Sequence, residues 1–268
     1  MISVNGVPIE MGSFPDKTSA IRYKPDADGY TITWKYDGDH ECMILWYLVH
    51  HIRENCGAHT PIHLNMPYLP NARMDRVKNL DEVFTLKWFA KFINCMNFDS
   101  VEVFDVHSNV SEALIDHILS RSAHDCVDWV IDTLSAKGLH PLLCFPDEGA
   151  CKRYAPLFPH QDYTFCKKHR DWRSGKIDGM ELRYPEKVAD RNILIVDDIC
   201  SRGGTFTRAA ELLKNAGAKE IFLYVSHCEA TIFRGNILTD GLISHVFTTD
   251  SIFRGKHDKV TVVGEEET

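Results

Sequence analysis

The sequence lacks the patterns that hold zinc: it has no CxxC pair, no HExxH and no Cys/His zinc spacing, despite nine cysteines and fourteen histidines. An odd number of scattered cysteines without a framework reads as reduced thiols in a cytoplasmic protein, most of them buried as small hydrophobes. The adjacent His50 and His51 point in different directions on a helix and read as structural. Positive charge is not in excess. The net charge is -8 and the isoelectric point about 5.9, which argues against non-specific binding to nucleic acid or to an anionic membrane. It leaves room for a local basic pocket. No stretch approaches the about 18 apolar residues of a membrane helix. Residues Met1 to Phe14 show no basic segment followed by an apolar run, so no signal peptide is expected. No low-complexity segment is present.

What the sequence does have is a steady alternation of strand and helix signals over 268 residues, 44% apolar and 25% charged. That length suits one large or two small domains and can bury a core unaided. Strands are expected at 31–36, 61–66, 100–107, 139–145, 163–166, 193–198, 221–227 and 259–263. Helices are expected over 41–55 through Met43, Leu45, Trp46, Val49 and Ile52, and over 84–97 through Leu86, Phe89, Ala90, Ile93 and Met96. Others start at Ser111, running through Leu114, Ile115 and Ile118, at 124–137, near Gly149, and over 204–215, closed by Gly217. This order predicts an α/β fold with parallel sheets. Two halves part near residues 119–124, giving domains 1–121 and 122–268. The polar stretch 170–186, punctuated by Gly175, Gly179 and Pro185, reads as a mobile loop or a β-hairpin. The acidic Glu265–Glu267 tail reads as a solvated end.

The most informative segment is ILIVDDICSRGGTF, residues 193–206. An apolar strand delivers Asp197 and Asp198 to its carboxyl edge, where open α/β sheets bind ligands. Ser201, Arg202, Gly203, Gly204 and Thr205 follow, and then a helix begins. Glycines let the backbone turn tightly, and the N–H groups of the loop and helix start favour a phosphate. Side chains alternate along a strand, so the two acids have different roles: one accepts from ribose hydroxyls, the other meets a metal or a neighbouring loop. A plain strand-end turn is the alternative reading, but two acids and GGT in register make a phosphorylated ribose the stronger one.

The segment resembles the PRPP-binding motif of type I phosphoribosyltransferases, with Cys200 to Thr205 as its loop. Four further segments resemble the ribose-phosphate pyrophosphokinases, also called PRPP synthetases, in that family's order. MPYLPNARMDR (66–76) is similar to their ATP-binding segment. FDVHS (104–108) is similar to the strand that ends in an Asp-x-His metal and ATP site. FPDEGACKRYA (145–155) is similar to their Ser-Pro-Asp-x-Gly-Gly segment. Lys168-His169-Arg170 is similar to the Lys-x-Arg at the base of their catalytic loop. The resemblance covers roughly residues 35–250 and implies two phosphoribosyltransferase-like α/β domains, each a mainly parallel sheet flanked by helices, with the active site between them. It implies Mg²⁺-ATP-dependent transfer of a diphosphate to C1 of a ribose 5-phosphate acceptor, releasing AMP. Arg73, Asp75, Arg76 and His107 would bind ATP, and His107 and Asp147 would meet Mg²⁺. Lys168 and Arg170, with His107, would be catalytic, and Asp197 and Asp198 would hold ribose O2 and O3. Because the family completes its ATP site with a neighbouring subunit, a homo-oligomer, at least a dimer, is expected.

Plainer readings stand beside these. Arg73 and Asp75 can form a surface ion pair, His107 can be a core histidine, and Asp147 can cap a helix. Lys167 competes with Lys168 for the catalytic role. Arg173, Lys176 and Arg183 either close over the product or are solvated loop charges. The sequence also departs from the family. Met74 replaces a Gln and cannot supply its hydrogen bonds. The loop reads Ser201-Arg202 where Asp-Thr is usual. The family's Phe-x-Asp-Gly-Glu segment has only Trp34, Asp37 and Asp39 as counterparts. The added Arg202 suggests a larger acceptor, ADP-ribose, as used by certain bacteriophage NAD-rebuilding enzymes that resemble short PRPP synthetases. A PRPP-consuming transferase, or an inactive relative that associates with PRPP synthetases, are the remaining alternatives.

Overall fold

The computed structural model describes residues 1–170 and 177–264, without the side chains of His169, Arg170, Ile177 and Asp178. Arg173, Lys176 and the Glu265–Glu267 tail lie outside the described residues. The chain divides into two compact units, Met1–Ser122 and Ala123–Thr268.

The N-terminal unit runs β1 (Ile2–Val4), β2 (Val7–Pro8), β3 (Glu10–Ser13), β4 (Ser19–Arg22), β5 (Tyr30–Trp34), α1 (His40–Cys56), β6 (Ile62–Met66), α2 (Thr85–Asn94), β7 (Ser100–Phe104), α3 (Asn109–Leu114) and β8 (Ile118–Arg121). Its sheet has the order β2-β1-β5-β6-β7-β8. Strands β5 to β8 are parallel and β1 and β2 are antiparallel. Strands β3 and β4 form a separate antiparallel pair. Every second residue of β5 (Tyr30, Ile32, Trp34) is buried, as the two-residue period of a strand requires. Helix α1 buries Ile44, Leu45, Leu48, Val49 and Ile52. Each such side chain contributes roughly 1.5–3 kcal/mol on leaving water. Met43, expected on that face, is exposed, so the stripe is rotated by one residue from the sequence reading.

The C-terminal unit runs α4 (His124–Ala136), β9 (Pro141–Phe145), α5 (Glu148–Tyr154), β10 (Tyr163–Arg170), β11 (Ile177–Arg183), β12 (Asn192–Cys200), α6 (Gly204–Asn215), β13 (Ile221–Cys228), β14 (His245–Thr248) and β15 (Val260–Val262). The sheet order is β11-β10-β9-β12-β13-β14-β15. Only β11 is antiparallel to its neighbour. All eight residues of β13 are buried, as expected of a central parallel strand covered on both faces. Both units are therefore mainly parallel sheets flanked by helices.

Several elements differ from the sequence reading. The helix expected from Ser111 through Ile118 ends at Leu114. Ile115 is already extended, His117 takes a left-handed φ of 55°, and Ile118 opens β8. The strand at 163–166 is longer, reaching Arg170, and pairs antiparallel with β11; residues 171–176 of the 170–186 stretch lie outside the described residues. Strands β1 to β4 and β14 were not anticipated, because two to four residues are too few to show a period. Only four cysteines (Cys144, Cys166, Cys200, Cys228) are buried, while Cys56 and Cys95 are exposed at helix ends. All nine are free thiols. No described helix is long and apolar enough to cross a membrane.

Candidate functional site

In the C-terminal unit the carboxyl edge of the sheet gathers charge. Asp198, near the end of β12, is only 4% exposed. Its Oδ2 lies 3.1 Å from Arg153 Nη1. Asp197 precedes it, half-buried, and its Oδ1 accepts from the Asp198 backbone N–H at 3.0 Å. Burial pushes the Asp197 carboxyl well above the usual carboxylate range, helped by the charges of Asp198 and Asp147. The alternation of β12 thus separates one acid that lies against a guanidinium from one that burial keeps from ionising readily.

Asp147 sits at the N-cap of α5, just past β9. One oxygen caps the helix, accepting from Ala150 N–H at 2.9 Å. The other takes Lys168 Nζ at 2.7 Å. Burial raises its pKa, but Lys168 and the Ala150 N–H outweigh that and hold the carboxyl below its ordinary value. Helix capping and a charged partner therefore coexist in one side chain. Strand β10 is parallel to β9 only over Tyr163–Phe165 and continues past it, paired with β11. That overhang carries the two lysines past the end of β9. Lys168 pairs in register with Met180 and reaches Asp147, whereas Lys167 stands opposite Glu181 on the other face. Arg170 ends β10, and its side chain lies outside the described residues.

The loop Ser201–Thr205 follows. Gly203 has φ 83° and its Cβ, if present, would lie 2.9 Å from Ile237, so glycine is required there twice over. It is the N-cap of α6, and no side chain caps that helix. Phe206 N–H already donates to the Gly203 carbonyl at 2.9 Å, and the N–H groups ahead of it, at Gly204 and Thr205, are the ones suited to an anion. Arg202 and Gly204 are exposed. Behind the loop stands Gly235, where a Cβ would fall 1.9 Å from the Arg202 carbonyl oxygen. Cys200 is buried, its thiol facing Cys228 on β13, an arrangement that with burial raises its pKa far above the ordinary range. Its side chain is thus a core group.

In the N-terminal unit, the loop after β6 and the end of β7 come together. Asp75 is buried and accepts from Arg76 Nε at 2.9 Å. Burial raises its pKa, but Arg76, Ser108 and His107 outweigh this and lower it. Asp75 thus pairs with its sequence neighbour Arg76, and Arg73 is exposed. His107 is half-buried. Trp34 is fully buried and donates to Glu41 Oε2 at 2.8 Å, and Asp37 N–H donates to the same oxygen at 2.8 Å. Asp39 accepts from the Tyr36 hydroxyl at 2.7 Å. These three serve a local network around α1. The sequence reading missed Arg153, Gly235 and Ile237. Arg153 lies inside the FPDEGACKRYA segment, where its helical position six residues after Asp147 was the available signal.

Comparison with known proteins agrees with this geometry. The model of the phosphoribosyl transferase domain matches residues 165–252, which run from β10 past β14. A ribose-phosphate pyrophosphokinase of Pyrococcus abyssi is 28% identical over 232 residues, 83% of this chain and 77% of that protein. One from Vibrio vulnificus is 30% identical over 217 residues, 78% of this chain and 66% of that protein. The crystal structure of phosphoribosylpyrophosphate synthetase from Mycobacterium smegmatis superposes with a TM-score of 0.78 at 16% identity, covering 96% of this chain and 85% of that one. The chain thus spans about two thirds to three quarters of its curated relatives and shares their fold in both units. It belongs to the ribose-phosphate pyrophosphokinase family of diphosphotransferases.

Proposed function

We propose that this protein moves the β,γ-diphosphate of Mg²⁺-ATP to the C1 hydroxyl of ribose 5-phosphate, giving PRPP and AMP. The observation that carries this reading is Lys168 held 2.7 Å from Asp147, a carboxylate whose charge is felt by Asp197. A phosphoribosyl binding edge needs the acids and the loop; the tethered cation is the addition that diphosphate transfer requires. The uncapped start of α6 receives the 5-phosphate, and Asp197 and Asp198 accept from the ribose hydroxyls. Lys168, with Arg170, meets the charge that builds on the transferred group. Arg73, Asp75, Arg76 and His107 bind the nucleotide. Magnesium takes few protein donors and keeps phosphate and water oxygens; Asp147 in the C-terminal unit and His107 in the N-terminal unit are the residues that would meet it. Magnesium supplies neutralisation of the phosphate charge. The protein acts in the cytoplasm as a dimer or larger assembly.

A second reading takes ADP-ribose as acceptor, giving ADP-ribose pyrophosphate. Exposed Arg202 favours it, because a cation beside the phosphate loop suits a second phosphate. The wall behind the loop also carries Phe233, 43% exposed. The test is to incubate the protein with Mg²⁺-ATP and either acceptor and to follow AMP. AMP with ribose 5-phosphate is expected. AMP with ADP-ribose alone would transfer the conclusion to the second reading, and AMP with neither would sink both.

A further inference from the structure

The short helix α5 carries a charged contact at each end. Asp147 at its N-cap holds Lys168, and Arg153 in its last turn meets Asp198. Seven helical residues at about 1.5 Å each span about 10 Å, so one rigid strut ties the lysine hairpin to the ribose-holding acid. Its far end is anchored: the Arg153 guanidinium lies 5.6 Å from the Tyr154 ring centroid, and Tyr154 is fully buried and stacked on Phe145. The Asp198 side chain is 5% exposed and that of Arg153 26%. A carboxylate enclosed to that degree is costly without a counter-charge and would turn away or take up a proton.

We propose that Arg153 is a positioning residue for the acceptor, holding the Asp198 carboxylate in place at the end of β12 so that it meets the ribose hydroxyls already oriented. The proposal rests on the diphosphotransferase reading for what is bound, not for the contact itself. The raised pKa of Asp197 is consistent with it, since the neighbouring Asp198 charge is, after burial, its next cause. Arg153 touches neither the reacting atoms nor the phosphates; it acts through Asp198. Its loss should therefore weaken acceptor binding more than turnover.

The experiment compares wild type, Arg153→Met and Arg153→Lys as full chains. Ribose 5-phosphate binding is measured by calorimetry, kcat and KM by AMP release, and unfolding by thermal melting. Arg153→Met is expected to weaken ribose 5-phosphate binding by about tenfold or more, equivalent to about 1.4 kcal/mol. KM should rise in step, kcat should change far less, and KM for ATP should hold. Arg153→Lys should recover much of the loss, since it restores the charge without the planar fork. Unchanged acceptor binding in a folded Arg153→Met overturns the proposal. So does a loss that Lys does not relieve and that tracks a fall in melting temperature, because that marks a structural role. A wild type that binds ribose 5-phosphate yet releases no AMP removes the transfer reading while the binding comparison still decides Arg153. A wild type that does not bind ribose 5-phosphate overturns both.

Discussion

The two units use the same mainly parallel α/β layout, yet they build their ligand-facing edges differently. In the N-terminal unit the charged groups sit on loops after β6 and β7, and Arg73 and Arg76 are exposed. In the C-terminal unit the acids are on β12 itself, next to a core in which β13 is buried throughout. A loop of exposed cations can adapt to a flexible triphosphate at low cost. A strand-borne acid pair is fixed, and each enclosed charge then requires a partner: Arg153 for Asp198 and Lys168 for Asp147. The difference teaches that a substitution among the exposed loop cations of the N-terminal unit should cost less than one at the strand-borne acids of the C-terminal unit.

The largest effect should come from Lys168→Ala. Turnover is expected to fall about 10²–10³-fold, the size of losing one charge-stabilising donor, with ribose 5-phosphate binding retained. Lys167→Ala, on the opposite face, should keep most activity. Equal losses in the two would break the assignment of faces along β10. Gly235→Ala comes next. A Cβ there meets the Arg202 backbone, which cannot move aside like a side-chain tip. Overpacking of this kind costs about 1–3 kcal/mol, and the shifted loop should raise the acceptor KM. Near-normal acceptor kinetics would show that the wall does not set the loop.

Asp75→Ala should have a smaller effect, confined to ATP. Its partner Arg76 is 70% exposed, and such pairs are worth roughly 1 kcal/mol or less, so KM for ATP should rise by several-fold and acceptor binding should hold. A loss on the acceptor side would contradict the separation of roles. The smallest effect is expected from Asp197→Asn, read as stability against pH. The folded carboxyl titrates above its unfolded value. The wild type therefore keeps the full contribution below about pH 4, the ordinary Asp range, and loses it as pH rises towards the raised folded pKa. Asn does not ionise, so the variant's melting temperature relative to wild type should increase from pH 5 to pH 8. A difference that is flat with pH would show that Asp197 ionises freely.

Much of the C-terminal edge was legible in the sequence, because it is contiguous. Strand, acid pair, glycine turn and helix follow one another over residues 193–206, and α6 has the span expected for it. The hydrophobic period likewise placed α1, α2 and α4. What was not legible depends on chain brought back from a distance. Gly235 and Ile237 press on Arg202 and Gly203 from a segment some thirty residues later. Arg153 meets Asp198 across 45 positions, and its helical spacing from Asp147 was the one local signal of it. The short strands β1 to β4, β8 and β14 escaped for the opposite reason: each is too brief to show a period and is held by pairing with a neighbour.

The sequence by itself determined the alternating α/β order, the apolar strands that demand cover on both faces, and the glycine-bearing loop that a phosphate can enter. These follow from local periodicity and from backbone freedom at single residues. Only the tertiary structure decided which lysine of the pair meets Asp147, that Asp75 answers to Arg76, and that Asp198 is held by Arg153. Those outcomes turn on strand register and burial. A one-residue shift reverses a side chain's face, and an enclosed charge takes whichever partner the packing brings within reach.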